Sequence, residues 1–158
     1  MIRSHPRLSV ATAVYLAIVA MITLGPAPPS DSEGWLFDIL RVLGRSETTR
    51  WITYQRVEFT ANIFMFFPIG MLARLLLPSG RRHGLVSIAF GVALTCTIEF
   101  VQKFIPGRVS DISDIVSNSI GTVLGVAIVT ACALRRRHRH LPLLRPRQQP
   151  ANSVKSRN

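Results

Sequence analysis

Four long apolar stretches, separated by shorter polar segments, dominate the pattern of this 158-residue chain. Each is close to the roughly 20 mostly apolar residues that an α-helix needs to cross a hydrocarbon core of about 30 Å. The pattern therefore predicts an all-α, polytopic membrane protein built as a bundle of four transmembrane helices. The predicted spans are residues 8–24, 59–77, 85–105 and 112–134.

The first apolar stretch has an alternative interpretation, because a cleaved signal peptide also follows basic residues. Arg3 and Arg7 precede the stretch, and GPAPPS follows it. The apolar run is longer than the roughly 7–15 residues of a typical signal peptide, and no A-x-A cleavage site follows. We therefore expect a retained membrane anchor.

Basic residues flank the apolar stretches and give the chain a net charge of +11. The positive-inside rule places the arginine clusters in the cytoplasm, together with both termini, and places loop 25–58 and the turn near Pro106 outside. We expect a multi-pass protein of the cell membrane and no nucleic-acid partner, since a nucleic-acid binder would carry its basic face on a soluble domain. The clusters are Arg3 and Arg7, Arg81 and Arg82, and Arg135, Arg136, Arg137 and Arg139.

Two segments outside the spans have patterns of their own. Residues 34–44 (GWLFDILRVLG) place apolar residues on one side of a helix, which suits an interfacial helix in the first outer loop, although a surface loop fits equally well. Residues 141–158 are rich in Pro, Arg and Gln, which predicts a disordered cytoplasmic tail. We therefore expect a four-helix membrane domain over residues 1–140, followed by a basic tail.

Cysteine and histidine positions do not suggest a metal site. Cys96 and Cys132 lie inside apolar stretches, where small buried hydrophobes are usual. The chain has no CxxC pair and no Cys/His cluster, and its four histidines lie outside the spans. The sequence therefore predicts neither a cofactor nor a zinc site.

Polar residues within the spans are costly in a bilayer and usually face a bundle interior or a cavity. With the predicted direction, the polar residues of three of the four spans lie at the same depth in the membrane, near its outer surface. On the fourth span, acids and an amide near the outside share a narrow arc with two deeper glycines, which allow close helix packing. The residues of that arc are Asp111, Asp114, Asn118, Gly121 and Gly125.

Structural interpretations compete with functional ones at each of these positions. Asp111 has the place of a helix N-cap, while Asp114 and Asn118 lie too deep to cap and would make interhelical hydrogen bonds. Glu99 needs either a partner, for which Arg108 is a candidate, or a proton. Arg74 lies near the inner end of its span, and we expect it to extend to the cytoplasmic headgroups.

Two sequence blocks resemble the VanZ-like family of small bacterial integral membrane proteins. EFTANIFMFFPIG (58–70) is similar to the family's acid–Asn–apolar–PxG segment. Residues 97–125 are similar to its signature of Glu, Gln and R-x-x-D-x-x-D-x-x-x-N-x-x-G-x-x-x-G. The resemblance implies a four-helix bundle of the cell envelope, and the family's named member is associated with low-level resistance to the glycopeptide teicoplanin. It marks Glu58, Asn62, Glu99, Gln102, Arg108, Asp111, Asp114, Asn118, Gly121 and Gly125.

Two functions fit these observations. In the first, an outer site binds or acts on an envelope lipid or lipid-linked precursor, with a link to teicoplanin resistance. Glu99, Asp111 and Asp114 would then be the catalytic candidates or hold a divalent cation, and Arg108 would hold a phosphate or a carboxylate. The candidate substrate-binding residues are Glu58, Asn62, Gln102, Arg108 and Asn118. In the second, the protein is a non-enzymatic scaffold or partner-binding protein, and the polar residues only lock the helices together.

Overall fold

The computed structural model describes residues 6–25, 39, 42, 45–49, 51–78, 80–108 and 110–139. Within those ranges the chain forms four helices and no strand. The helices are α1 (Pro6–Leu24), α2 (Tyr54–Leu76), α3 (Arg81–Gln102) and α4 (Ile112–Arg139). Each is long and apolar enough to cross a membrane, which confirms the predicted four-helix membrane bundle.

Two predicted segments lie largely outside the described residues. Of the segment 34–44, predicted as an interfacial helix or a loop, only Ile39 and Val42 are described. The basic tail over residues 141–158 lies wholly outside them. Both predictions therefore stay predictions.

Each of the four helices extends beyond its predicted apolar span at one end, and local capping chemistry explains the ends of α2. α2 starts five residues before the predicted span, because the Thr53 hydroxyl accepts a hydrogen bond from the Arg56 N–H (3.4 Å) and caps the helix. α2 ends at Leu76, two residues before Pro78, which disfavours helical geometry in the residue before it. Polar end turns of this kind suit helices that project beyond a hydrocarbon core.

The α2–α4 interface is held by backbones in near contact. A Cβ added to Gly125 would lie 2.8 Å from the Met71 nitrogen, and one added to Gly121 would lie 3.0 Å from the Ile63 carbonyl carbon. From the other side, a Cβ added to Gly70 would lie 2.9 Å from the Thr122 Cα. No side chain fits at these three points, so dispersion contacts between the backbones hold the interface, as in other small-residue helix pairs.

α1 completes the bundle by packing on α2 and α3. Val19 joins Phe66, Ile69 and Ile98 in the buried core. The Tyr15 hydroxyl of α1 donates a hydrogen bond to the Met65 carbonyl of α2 (2.8 Å). That carbonyl follows the Phe64 carbonyl, which Pro68 leaves without its helical N–H donor, so α1 supplies a hydrogen bond next to this point of α2.

Large apolar side chains cover the outside of the bundle. Phe64, Leu85 and Phe100 are each at least 60% exposed in the isolated chain. A soluble protein rarely exposes so many large apolar side chains, whereas a lipid environment accommodates them. The outer surface thus agrees with the membrane assignment of the four helices.

Candidate functional site

Side chains from three helices meet at one end of the bundle and form what we call the polar cluster: Glu58, Asn62, Glu99, Asp111 and Asp114. The Asn62 side-chain amide of α2 donates a 2.7 Å hydrogen bond to the Asp114 carboxylate of α4. At the end of α3, Glu99 is only 3% exposed, and its carboxylate accepts a 3.0 Å hydrogen bond from the Asp111 backbone N–H. The structure therefore places these predicted residues at one common end of the bundle.

Two carboxylates of the cluster satisfy the N-terminus of α4. The Asp111 carboxylate accepts a hydrogen bond from the Ser113 N–H (2.8 Å), and its carbonyl accepts one from the Asp114 N–H (3.1 Å). This is the geometry of an N-cap. Glu99 reaches the same helix end from α3, where the partial positive charge of the helix favours an anion.

Asp114 lies among carboxylates. Glu58, Glu99 and Asp111 all lie close enough to repel its charge. Its hydrogen-bond donor is the neutral amide of Asn62. Across the described residues, no three His, Cys, Asp or Glu side chains are arranged to hold a metal ion.

Arg108 does not form the expected pair with Glu99. Its guanidinium turns to the C-terminus of α1, where Nη2 donates to the carbonyls of Ile22 (2.9 Å) and Gly25 (3.2 Å) and Nε donates to Gly25 (3.3 Å). The preceding Gly107 makes this turn possible, since its φ of 79° is readily adopted only by glycine.

Gln102 contacts the same helix end as Arg108. Its side-chain amide donates a 2.9 Å hydrogen bond to the Thr23 carbonyl. Together Gln102 and Arg108 satisfy carbonyls that the last turn of α1 leaves without intrahelical donors. Two of the predicted substrate-binding residues thus also fix α1 to the bundle.

Asn118 lies one turn deeper than Asp114 and joins α4 to α3. Its amide nitrogen donates a 2.9 Å hydrogen bond to the Thr95 hydroxyl, and both side chains are almost fully buried. The Asn118 side-chain oxygen and the Gln102 side-chain oxygen are buried without a hydrogen-bond partner among the described residues. A buried unpaired oxygen costs about 1–3 kcal/mol, so each is a place where a bound donor would be favourable.

Two residues of this region, Thr95 and Tyr54, were not among the predicted site residues. Thr95 lies four residues before Glu99 on the same face of α3, and it provides the partner of Asn118. Tyr54 lies four residues before Glu58 and interacts electrostatically with Glu58, Asp114 and Arg108. Each lies four residues before a glutamate of the polar cluster, and this i, i+4 spacing places the two residues on one helix face. The spacing is visible in the sequence.

Cavities of about 420, 690 and 1060 Å³ lie in the bundle away from the polar cluster. Asn62, Glu99, Arg108 and Asp114 line none of these three. The cluster is therefore a set of side chains at the end of the bundle and is separate from these cavities.

The prediction that Arg74 extends to the headgroups is wrong. Arg74 is only 6% exposed, and its Nε donates to the Thr130 hydroxyl of α4 (3.2 Å). Its Nη1 donates to the Pro78 carbonyl (3.1 Å), just past the end of α2. The close approach of α2 and α4 brings Thr130 within reach of Arg74. The distance between these two helices cannot be read from the sequence pattern.

Comparison with protein families matches residues 12–134 to the family described as VanZ/LLP1. The match covers most of α1, all of α2 and α3 and most of α4, and with them every residue of the polar cluster. Comparison with curated proteins and with solved structures gave no match.

Proposed function

The chain belongs to the VanZ/LLP1 family, and on that premise we propose that its polar cluster binds the headgroup of an envelope lipid or lipid-linked precursor. The cluster lies on the extracytoplasmic side of the cell membrane in this proposal, with both termini in the cytoplasm. The direction follows from the positive-inside rule. The four membrane-length helices support this proposal, because the end of such a bundle lies at a membrane surface, where lipid headgroups are present.

The observation that carries this proposal is the position of Asp114 among Glu58, Glu99 and Asp111. The mutual repulsion of these carboxylates opposes the stabilising contacts that Glu99 and Asp111 make with α4, and an amide in place of Asp114 would join α2 to α4 without that repulsion. Side chains whose arrangement lowers the stability of the fold are typical of functional sites. The hydroxyl groups of a sugar or of a glycerol headgroup would donate to these oxygens and offset the repulsion.

Arg108 is the proposed contact for a ligand phosphate. Its Nε and Nη2 are held by the carbonyls of Ile22 and Gly25, whereas Nη1 donates to no described residue. A guanidinium fixed in this way loses little further freedom when it binds a phosphate oxygen. Arg108 also lies close enough to Tyr54, at the start of α2, to act on it electrostatically.

An enzymatic form of the proposal assigns acid–base chemistry to Glu99, Asp111 and Asp114. Asp114 is the best placed of the three, because its hydrogen-bond donor is a side-chain amide, whereas Glu99 and Asp111 accept from backbone N–H groups at the N-terminus of α4. General acid–base catalysis needs a carboxyl within hydrogen-bond reach of the reacting group. Asp114, which is half-buried and bonded to Asn62, meets the requirement of a positioned carboxyl.

The second candidate function is a non-enzymatic scaffold or partner-binding protein. The contacts of Gln102 and Arg108 with the carbonyls of α1 favour it, because both side chains join helices without any ligand. The Asn118–Thr95 hydrogen bond has the same property. In this case the polar cluster only locks the bundle.

A deletion strain tests the first function against the second. We expect deletion to change the pool of polyprenyl-linked envelope precursors and the sensitivity to envelope antibiotics, and we extend the proposal to teicoplanin among them. Complementation with wild-type protein should restore both. Unchanged precursor pools and an unchanged teicoplanin sensitivity in the deletion strain would contradict the first function.

A further inference from the structure

Arg74 lies buried at the end of the bundle opposite the polar cluster, and its described hydrogen-bond acceptors are all neutral. These are the Thr130 hydroxyl (3.2 Å) and the carbonyls of Pro78 (3.1 Å) and Leu77 (3.5 Å). Thr130 is itself oriented, because its hydroxyl donates to the Val126 carbonyl (2.8 Å). These contacts hold the guanidinium in place and leave its positive charge uncompensated.

A cavity of about 1060 Å³ adjoins Arg74 between α2 and α4. Arg136, exposed on the last part of α4, is a second cation on its wall. The rest of the wall is mainly apolar and includes Phe67, Met71, Ile128 and Val129. The cavity therefore combines two guanidinium groups with a hydrocarbon surface.

A buried, unpaired guanidinium is costly in a membrane, and a phosphate offsets that cost better than a neutral acceptor does. Guanidinium groups bind phosphate oxygens through paired, charge-assisted hydrogen bonds. Nη2 of Arg74 donates to no described residue, so its N–H groups remain available to a phosphate. The apolar wall would in turn contact acyl chains.

We propose that the phosphate of an anionic phospholipid enters this cavity, where it binds Arg136 and the buried Arg74, which does not itself extend to the headgroups, while the acyl chains occupy the apolar part of the cavity. A soluble phosphate would gain nothing from Phe67 and Met71, so the wall favours a lipid over a free anion. This end of the bundle carries the arginine clusters, and the positive-inside rule assigns it to the cytoplasmic leaflet. Basic pockets between transmembrane helices on that side suit anionic headgroups.

Lipid binding to the purified full chain tests this proposal. The protein in detergent micelles is titrated with phosphatidylglycerol, with phosphatidylcholine and with glycerol phosphate, and bound molecules are counted by native mass spectrometry. The variants are Arg74→Gln and Arg136→Gln. Arg82→Gln is the matched control, because it removes one exposed charge near the same end without lining this cavity.

We expect phosphatidylglycerol to bind more tightly than phosphatidylcholine, and each cavity variant to weaken it about tenfold. Arg82→Gln should bind as the wild type does. If Arg74→Gln fails to fold, Arg136→Gln decides the outcome, since Arg136 is exposed. Equal affinities for the two lipids, equal binding by wild type and Arg136→Gln, or equally tight binding of glycerol phosphate would each overturn the proposal.

Discussion

Asn62 donates a 2.7 Å hydrogen bond to Asp114 across the α2–α4 interface, at the end of the bundle where four carboxylates meet. Deeper in the same interface, glycines bring the two backbones into near contact. The interface therefore fixes the distance between Asn62 and Asp114. Its packing and its polar end can be perturbed separately.

Substitution of Gly125 tests the packing of the interface. Gly125→Ala places a Cβ 2.8 Å from the Met71 nitrogen and 3.1 Å from the Gly70 carbonyl carbon, where backbone atoms must move. We expect a loss of about 1–3 kcal/mol in the free energy of unfolding, measured by thermal unfolding in detergent. Gly84→Ala is the matched control, since its Cβ would meet only Val126 Cγ1 at 3.9 Å. A stable Gly125→Ala variant would contradict the backbone contact.

Arg108 should hold the end of α1 whether or not a ligand binds. Arg108→Gln removes its charged donors from the Ile22 and Gly25 carbonyls. We expect amide hydrogen exchange over residues 21–25 to become about tenfold faster. Lys103→Gln, an exposed change in the same turn, should leave exchange unchanged. Equal exchange in the two variants would show that Arg108 does not fix α1.

Thr95 should stabilise the bundle through Asn118. Thr95→Val removes the acceptor of the buried Asn118 amide and leaves a second unpaired group beside its unpaired oxygen. We expect a loss of about 1–3 kcal/mol in the free energy of unfolding. Thr97→Val is the control, because Thr97 is exposed and its hydroxyl donates, among the described residues, to the Ala93 carbonyl of its own helix. Similar stability of the two variants would contradict the assigned contact.

The fold class followed from the sequence because its cause is local. A run of about 20 apolar residues specifies a spanning helix by itself, and the 3.6-residue period places Asp111, Asp114 and Asn118 on one face. The four-residue spacing of Thr95 from Glu99, and of Tyr54 from Glu58, likewise places each pair on one helix face. That spacing was present in the sequence, but neither residue was identified from it.

The partners of the two long arginine side chains did not follow from the sequence. Pairing with Glu99 was one of two alternatives for Arg108, yet the turn at Gly107 and the position of the end of α1 give it carbonyl acceptors instead. Arg74 was expected at the headgroups, yet Thr130 lies within its reach. Both outcomes depend on how the helices are placed in three dimensions, which a one-dimensional pattern does not contain.

The direction of the bundle can be tested by cysteine labelling in intact cells. In a background carrying Cys96→Ala and Cys132→Ala, a membrane-impermeant maleimide should label Ser46→Cys and Lys103→Cys from outside. Arg82→Cys should be labelled only after the membrane is permeabilised. The expected pattern follows from the positive-inside rule. Labelling of Arg82→Cys in intact cells would reverse the direction and move the polar cluster to the cytoplasmic side.

The most direct test of the polar cluster is Asp114→Asn in the purified full chain. The substituted amide oxygen still accepts the hydrogen bond of Asn62, while the repulsion from Glu58, Glu99 and Asp111 is removed. We predict an unfolding temperature at least equal to that of the wild type, with binding of a polyprenyl-phosphate-linked sugar weakened at least about tenfold. An equally stable variant that binds this ligand as the wild type does, or a variant that unfolds for want of the carboxylate, would contradict a ligand-binding cluster.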